Sequence, residues 1–186
     1  MMKKNLLAKC LSNIRMERSN MKKYGYIEQG QLAAQHSLPI ANLVNVKKLN
    51  ENAQLPTQGS EWSAGWDLYA CIDEPISINP HTTVKIGTGL AFELPKYTFG
   101  GIFPRSGLAT KRGLRPANTP GVCDSDYRGE YIVALHNDSE SIQWVEPGER
   151  IAQLIVLPYV PVQFSLVDTL SDTERGAGGF GSTGTK

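Results

Sequence analysis

The stretch Asn79-Pro-His-Thr-Thr-Val-Lys-Ile-Gly-Thr-Gly-Leu-Ala-Phe-Glu-Leu-Pro95 holds two short apolar segments, Thr82–Ile86 and Leu90–Leu94, set between a leading Asn-Pro and a closing Leu-Pro. Both are of strand length and rich in β-branched or aromatic residues. The same rhythm runs outward in both directions. Leu43–Val46, Asp67–Ala70, Gly100–Phe103, Tyr131–Leu135, Ile151–Leu157 and Val162–Leu166 read as further strands, with Glu74-Pro75 and Pro147-Gly148 among the breaks. The expected fold class is all-β, a sandwich or jelly roll. One helical piece interrupts it, Ser106–Arg112, with a serine to cap its start and Gly113 to end it. No repeat or linker divides the body. The organisation is a basic, poorly ordered extension over 1–38, one domain over 39–170 and a glycine-rich arm over 171–186.

A chain of 186 residues is long enough for one ordinary domain with a real core, and no apolar run is long enough to span a bilayer. The net charge of +1 hides an asymmetry: residues 1–23 carry seven Lys and Arg against one Glu, so the rest of the chain is acidic. Leu6, Leu7, Cys10, Leu11 and Ile14 would give this basic head an apolar face for an anionic surface. It lacks the apolar core and cleavage site of a secretion signal; an organelle-targeting peptide is one reading, a loosely ordered extension the simpler one. Specific nucleic-acid binding is not indicated. Three cysteines, Cys10, Cys71 and Cys123, form neither a disulfide framework nor a zinc spacing, which places the chain in a reducing cytoplasm. His36, His81 and His136 are far apart in sequence, so a metal site of protein nitrogens and sulfurs is not expected.

Five clusters put polar groups or glycines where a core strand would not want them. In Ala64-Gly-Trp-Asp-Leu-Tyr-Ala70, Asp67 is either a hydrogen-bonded structural carboxylate or a partner of a cation's water shell. Pro104-Arg-Ser-Gly-Leu-Ala109 brings a guanidinium, a hydroxyl and a glycine amide to a helix start, a combination suited to an anion. Asn118-Thr-Pro-Gly-Val-Cys-Asp-Ser-Asp-Tyr-Arg-Gly129 reads as a β-hairpin leading into a strand over 130–137, with an amide, two carboxylates and an aromatic ring on its rim. Taken alone it is a polar, solvated turn. In Pro147-Gly-Glu-Arg-Ile-Ala-Gln-Leu-Ile-Val-Leu-Pro158, Arg150 and Gln153 intrude on a buried strand and need a partner, either a neighbouring carboxylate or a ligand.

The fifth cluster, Arg175-Gly-Ala-Gly-Gly-Phe-Gly-Ser-Thr-Gly184, suits neither helix nor strand. Composition alone makes it a free end. Its amides, guanidinium and hydroxyls nevertheless suit a polyphosphate and its lone aromatic a flat ring, which together describe a nucleotide. It has no Gly-Lys-Ser/Thr and no preceding strand, so it is not a phosphate-binding P-loop. A triad of Ser106, His136 and Asp124 lacks a nucleophile elbow.

In order along the chain, AGWDLYA, PRSGLA, the Asn118–Gly129 stretch, PGERIAQLIVLP and RGAGGFGSTG resemble the five motifs of the trimeric deoxyuridine triphosphatases (dUTP pyrophosphatases). The resemblance covers about residues 40–184, and five ordered motifs are far more specific than any one of them. The departure is Cys123, where an aliphatic residue is more usual. The resemblance implies a jelly-roll or distorted β-barrel subunit in a homotrimer, with three active sites each built from all three chains. It implies hydrolysis of dUTP to dUMP and diphosphate, which keeps uracil out of DNA and supplies dUMP for dTMP synthesis. Asp124 would be the general base for a water attacking the α-phosphorus, helped by Gln153. Arg105, Ser106 and Gly107 would hold the triphosphate. Mg²⁺ would ride on the phosphates without direct protein ligands, with Asp67 reaching it through water.

By the same resemblance, Tyr127 would pack against the deoxyribose and exclude a 2′-hydroxyl. Asn118 and the hairpin backbone, Gly121 included, would read the uracil edge. Phe180 would stack on the base as the tail closes, while Arg175, Gly181, Ser182 and Thr183 grip the distal phosphates. A dCTP deaminase shares the expected fold but uses a glutamate where this chain has Ala134. In a regulator the same pocket would sense dUTP and the basic head contact a partner, but the intact Asp124 and tail argue against loss of catalysis; a capsid-like jelly roll would leave Arg105, Arg150 and the tail unexplained.

Overall fold

The computed structural model describes residues 43–179. The expected extension over 1–38 and the tail residues Phe180, Gly181, Ser182 and Thr183 lie outside the described residues. In chain order the elements are β1 (Asn45–Lys48), β2 (Thr57–Gln58), β3 (Trp66–Tyr69), β4 (Ile76–Ile78), β5 (Thr83–Gly87), β6 (Leu90–Glu93), β7 (Thr98–Phe103), α1 (Ser106–Arg112), β8 (Leu114–Pro116), β9 (Gly121–Asp124), β10 (Ile132–Asn137), β11 (Gln143–Val145) and β12 (Arg150–Pro158). The strands form a five-stranded sheet β2-β3-β12-β7-β9, a three-stranded sheet β5-β10-β8, and two pairs, β1-β6 and β4-β11. Every pairing is antiparallel. The fold is a jelly roll, as the strand rhythm led us to expect.

Alternation decides which side chains fill the space between sheets. On β10, Val133, Leu135 and Asn137 point inward and Ile132 stays half exposed. They meet Leu68, Ile78, Ile86, Leu90, Leu114, Ile151 and Leu154 in one core. The buried Asn137 amide is satisfied by donating to the Ile78 and Ser141 carbonyls at 2.9 and 2.8 Å. β12, the longest strand, pairs on both sides, with β3 and with β7, and shifts register between Arg150 and Ala152. Among the described residues no helix is long and apolar enough to cross a membrane.

Three local expectations change. The helix spans Ser106–Arg112 and ends on Gly113 in the left-handed region at φ 68°, but its cap position is Arg105, in extended backbone and with no side-chain capping bond. Ser106 is the first helical residue, one position past the cap, and the Arg105 side chain, which has no acceptor to offer the helix, donates to Asp67. The Asn118–Gly129 stretch is not a hairpin folded on β10: its strand β9 adds to the edge of the five-stranded sheet against β7. Val162–Leu166 forms no strand. Phe164 is 98% exposed and finds no partner strand among the described residues, and β propensity without pairing does not hold a strand.

Candidate active site

Strand β7 carries the site at both of its ends. At its C-terminal end Phe103 lies opposite Gln153, and Gln153 in turn lies opposite Asp67 on β3. The chain then turns at Pro104 into α1. Asp67 is buried, with its side chain only 12% exposed, so its charge requires partners. It has two: Arg105 Nε donates to Oδ1 at 2.7 Å and Arg150 Nη1 donates to Oδ2 at 3.1 Å. Arg105 Nη1 also reaches the Arg150 carbonyl at 3.4 Å. Gln153 Nε2 donates to the Pro104 carbonyl at 2.8 Å, and the missing side chain of Gly65 gives its amide room.

This resolves what the sequence left open. Arg150 holds a neighbouring carboxylate, Asp67, while Gln153 holds the backbone that leads into the helix. Ser106 and Gly107 are exposed at the first turn of α1, and nothing lies within 4 Å of where a Gly107 side chain would start. The other end of α1 is tied to the same turn of chain. Arg112 donates to Glu149, to Gln143 Oε1 at 3.2 Å and to the Trp144 carbonyl. Residues 149 and 150 therefore anchor both ends of the helix, through Arg112 and through Asp67 with Arg105. Sequence reading missed Arg112; a base in the last turn of a helix is common enough to carry no signal of its own.

Along the other edge of β7, Phe99 faces Asp124 and Gly100 faces Cys123 near its N-terminal end, while Ile102 faces Gly121 near its C-terminal end. Asp124 is exposed, and among the described residues its carboxylate takes part in no hydrogen bond or ion pair. The Tyr127 amide donates to the Asp124 carbonyl at 3.1 Å and closes the turn. The Tyr127 hydroxyl donates to the Glu130 carbonyl at 3.2 Å, and its ring lies over Gly129, where a side chain would meet Tyr127 Cε2 at 2.9 Å. Arg128 donates back to the Ser125 and Tyr127 carbonyls at 2.7 and 3.1 Å. Asn118 sits beside Gly121, its Nδ2 3.2 Å from the position a side chain there would take.

Phe99 and Phe103 are four residues apart, about 13 Å along an extended strand. Asp124 and Gln153 also pair with opposite edges of β7. Within one chain the expected site is thus divided: Asp67, Arg105, Ser106, Gly107, Arg150 and Gln153 lie at the C-terminal end of β7, Asp124 and Tyr127 at the N-terminal end, and Asn118 and Gly121 on the β9 edge opposite Ile102. Arg175 joins neither by hydrogen bond. Its Nε donates to the Gly178 carbonyl at 2.9 Å, within a local turn of the arm.

Beneath the second half lie Cys123 and Tyr131. Burial pushes the Cys123 thiol above its ordinary range; the adjacent Tyr131 hydroxyl works against this and the Asp124 charge works with it. Burial pushes the Tyr131 phenol well above its ordinary value, so it keeps its proton at neutral pH. Sequence reading placed Tyr131 only in a strand.

Among the described residues no group of three His, Cys, Asp or Glu could hold a metal ion directly. The chemistry of Asp67 fits a less direct role. A carboxylate has about four lone-pair sites, and the two guanidiniums occupy one on each oxygen, leaving acceptors for water on a cation.

A family model described as dUTPase matches residues 51–184. The chain is 45% identical over 139 residues to the deoxyuridine 5′-triphosphate nucleotidohydrolase of Idiomarina loihiensis, covering 74% of this chain and 91% of that protein. It is 48% identical over 138 residues to the protein of the same name from a Picosynechococcus species, covering 74% and 96% respectively. Among solved structures it is similar to a variant of the Staphylococcus bacteriophage 80alpha dUTPase with dUpNHpp, with a TM-score of 0.70 and 27% identity, covering 77% of this chain and 99% of that one.

Proposed function

The chain belongs to the dUTPase family and is a dUTP diphosphatase, and on that premise we propose how its two half-sites share the reaction. The single observation that carries the reading is the division of the site along β7. One half is cationic and anchored, fit to hold a polyphosphate; the other presents a carboxylate without a partner, fit to take a proton.

Arg105, Ser106 and the Gly107 amide hold the triphosphate, with the Arg105 guanidinium held in place by Asp67. Gln153 orients the attacking water or the α-phosphate. Asp124 takes the proton of that water as its oxygen bonds to the α-phosphorus. The bond to the bridging oxygen breaks and diphosphate leaves, with dUMP as the other product. Tyr127 packs on the deoxyribose and leaves no room for a 2′-hydroxyl. Asn118 and the Gly121 backbone read the uracil edge, where an unpaired polar group on a wrong base is costly. Mg²⁺ carried on the triphosphate would supply charge neutralisation, and Asp67 is the residue that would reach it through water.

Because one chain keeps Asp124 away from Gln153, a complete site takes Asp124 and Tyr127 from one subunit and Arg105, Ser106 and Gln153 from another. A homotrimer with three such sites accommodates this, and exposed Phe164, Leu166 and Leu170 give the segment that leads into the arm an apolar face for a neighbouring subunit. Arg175, Phe180, Gly181 and Ser182 then close over the occupied site. The cysteines support a reducing cytoplasm as its location.

Diphosphate release from dUTP, UTP, dTTP and dCTP by the wild type and by Asp124→Asn tests the reading. Turnover confined to dUTP and abolished in Asp124→Asn is expected. Equal turnover of UTP breaks the sugar argument, and ammonia release from dCTP breaks the reaction assignment.

A further inference from the structure

Tyr131 is 1% exposed, and its hydroxyl has no hydrogen-bond partner of ordinary geometry. That is an expensive way to fill a core, since a phenylalanine would pack the same ring with nothing to satisfy. The hydroxyl has a defined place. Gly100 and Cys123 are register partners on β7 and β9, and a side chain on Gly100 would start 3.0 Å from the Tyr131 oxygen. The oxygen thus occupies the gap that Gly100 leaves and faces the Cys123 thiol, one residue before Asp124. The backbone of Tyr131 is fixed as firmly: its amide donates to the Leu90 carbonyl at 2.8 Å, and its carbonyl accepts from the Thr88 hydroxyl at 2.7 Å.

The ring stands between core and site. Its centroid is 4.4 Å from that of Phe92, a core residue, and 6.1 Å from that of Tyr127, which is 44% exposed. Both separations are those of interacting aromatic pairs. Tyr127 has few other supports: the Glu130 carbonyl at its hydroxyl and the open face of Gly129.

We propose that Tyr131 is a positioning residue for substrate selection: its hydroxyl, pegged between Gly100 and Cys123, fixes the ring that holds Tyr127 at the angle from which it discriminates deoxyribose from ribose. This rests on the reading of Tyr127 as the residue against the sugar. Tyr131 touches no substrate and acts only through Tyr127.

The test is the ratio of kcat/KM for dUTP to that for UTP, which does not depend on how much of a variant preparation is folded. Tyr127→Ala serves as the control and should lower the ratio. Tyr131→Leu, which removes the ring, should lower it about tenfold, and Tyr131→Phe, which removes only the peg, about threefold while keeping or raising Tm. A Tyr131→Leu ratio unchanged from wild type while Tyr127→Ala lowers it overturns the proposal. Should Tyr131→Leu fail to fold, an unchanged ratio in Tyr131→Phe does so instead. If Tyr127→Ala itself leaves the ratio unchanged, the reading of Tyr127 is wrong and the proposal falls with it.

Discussion

The two ends of β7 solve opposite problems. At the α1 end a buried carboxylate is held by two guanidiniums, and the helix is anchored at both ends through residues 149 and 150. At the β9 end Asp124 stands exposed, and its turn is supported from below by aromatic rings. The first arrangement suits a group that must stay charged and still before an anionic substrate arrives. The second suits a group that must accept a proton, because a carboxylate already engaged by a cation is a weaker base. Electrostatics organises one half-site and packing the other.

The widest separation between the halves should appear on removing one carboxylate from each. Asp124→Asn is expected to lower kcat by about 100-fold or more while leaving the urea midpoint where it was. A parallel loss of stability would show that Asp124 is part of the frame. Removal of residues 175–186 comes next, with kcat/KM expected to fall on the order of tenfold or more and the fold intact, as the proposed role of the arm as a cover over the bound triphosphate requires. An unchanged rate would end the idea of a cover. Asp67→Asn should do the reverse of Asp124→Asn. It leaves two guanidiniums without their carboxylate and should cost about 1–3 kcal/mol of stability, moderated by the exposure of Arg150, with a raised KM for dUTP. Unaltered stability and KM would mean that the paired arginines organise nothing.

The smallest effect concerns Cys123. Burial disfavours its thiolate, so the folded protein holds the thiol proton more tightly than the unfolded chain does. The contribution is constant below the ordinary thiol value of 9.0 and is lost as pH rises through the higher folded value. Alkylation of Cys123 should therefore show a midpoint above 9.0. A midpoint below it would place the thiol in a polar, open setting and weaken the apolar description of this half-site.

Much of this was legible before any coordinates. The segment Ile151–Leu157 reads as a buried strand because its apolar residues run unbroken apart from Gln153, and α1 ends at Gly113 because glycine meets the left-handed turn without strain. β2, β4, β8, β9 and β11 were not legible as separate strands. They have two to four residues each and are defined by the strand opposite rather than by their own composition. Arg150 visibly needed a carboxylate, but that it would be Asp67 depends on the register of β12 against β3, which joins residues 83 positions apart. Tyr131 was hidden for another reason. A tyrosine in an apolar strand is ordinary until Gly100, 31 positions earlier, is seen to make room for its hydroxyl.

The division of the site is tested most directly by mixing. Asp124→Asn and Arg105→Ala, each inactive alone, are unfolded together, refolded at equal concentration and assayed for diphosphate release from dUTP. If each site takes Asp124 from one subunit and Arg105 from another, about a quarter of the sites in random trimers are intact in both, and activity returns to that fraction of wild type. Mixed trimers that form and stay inactive would place both residues of a site in one chain and contradict the account.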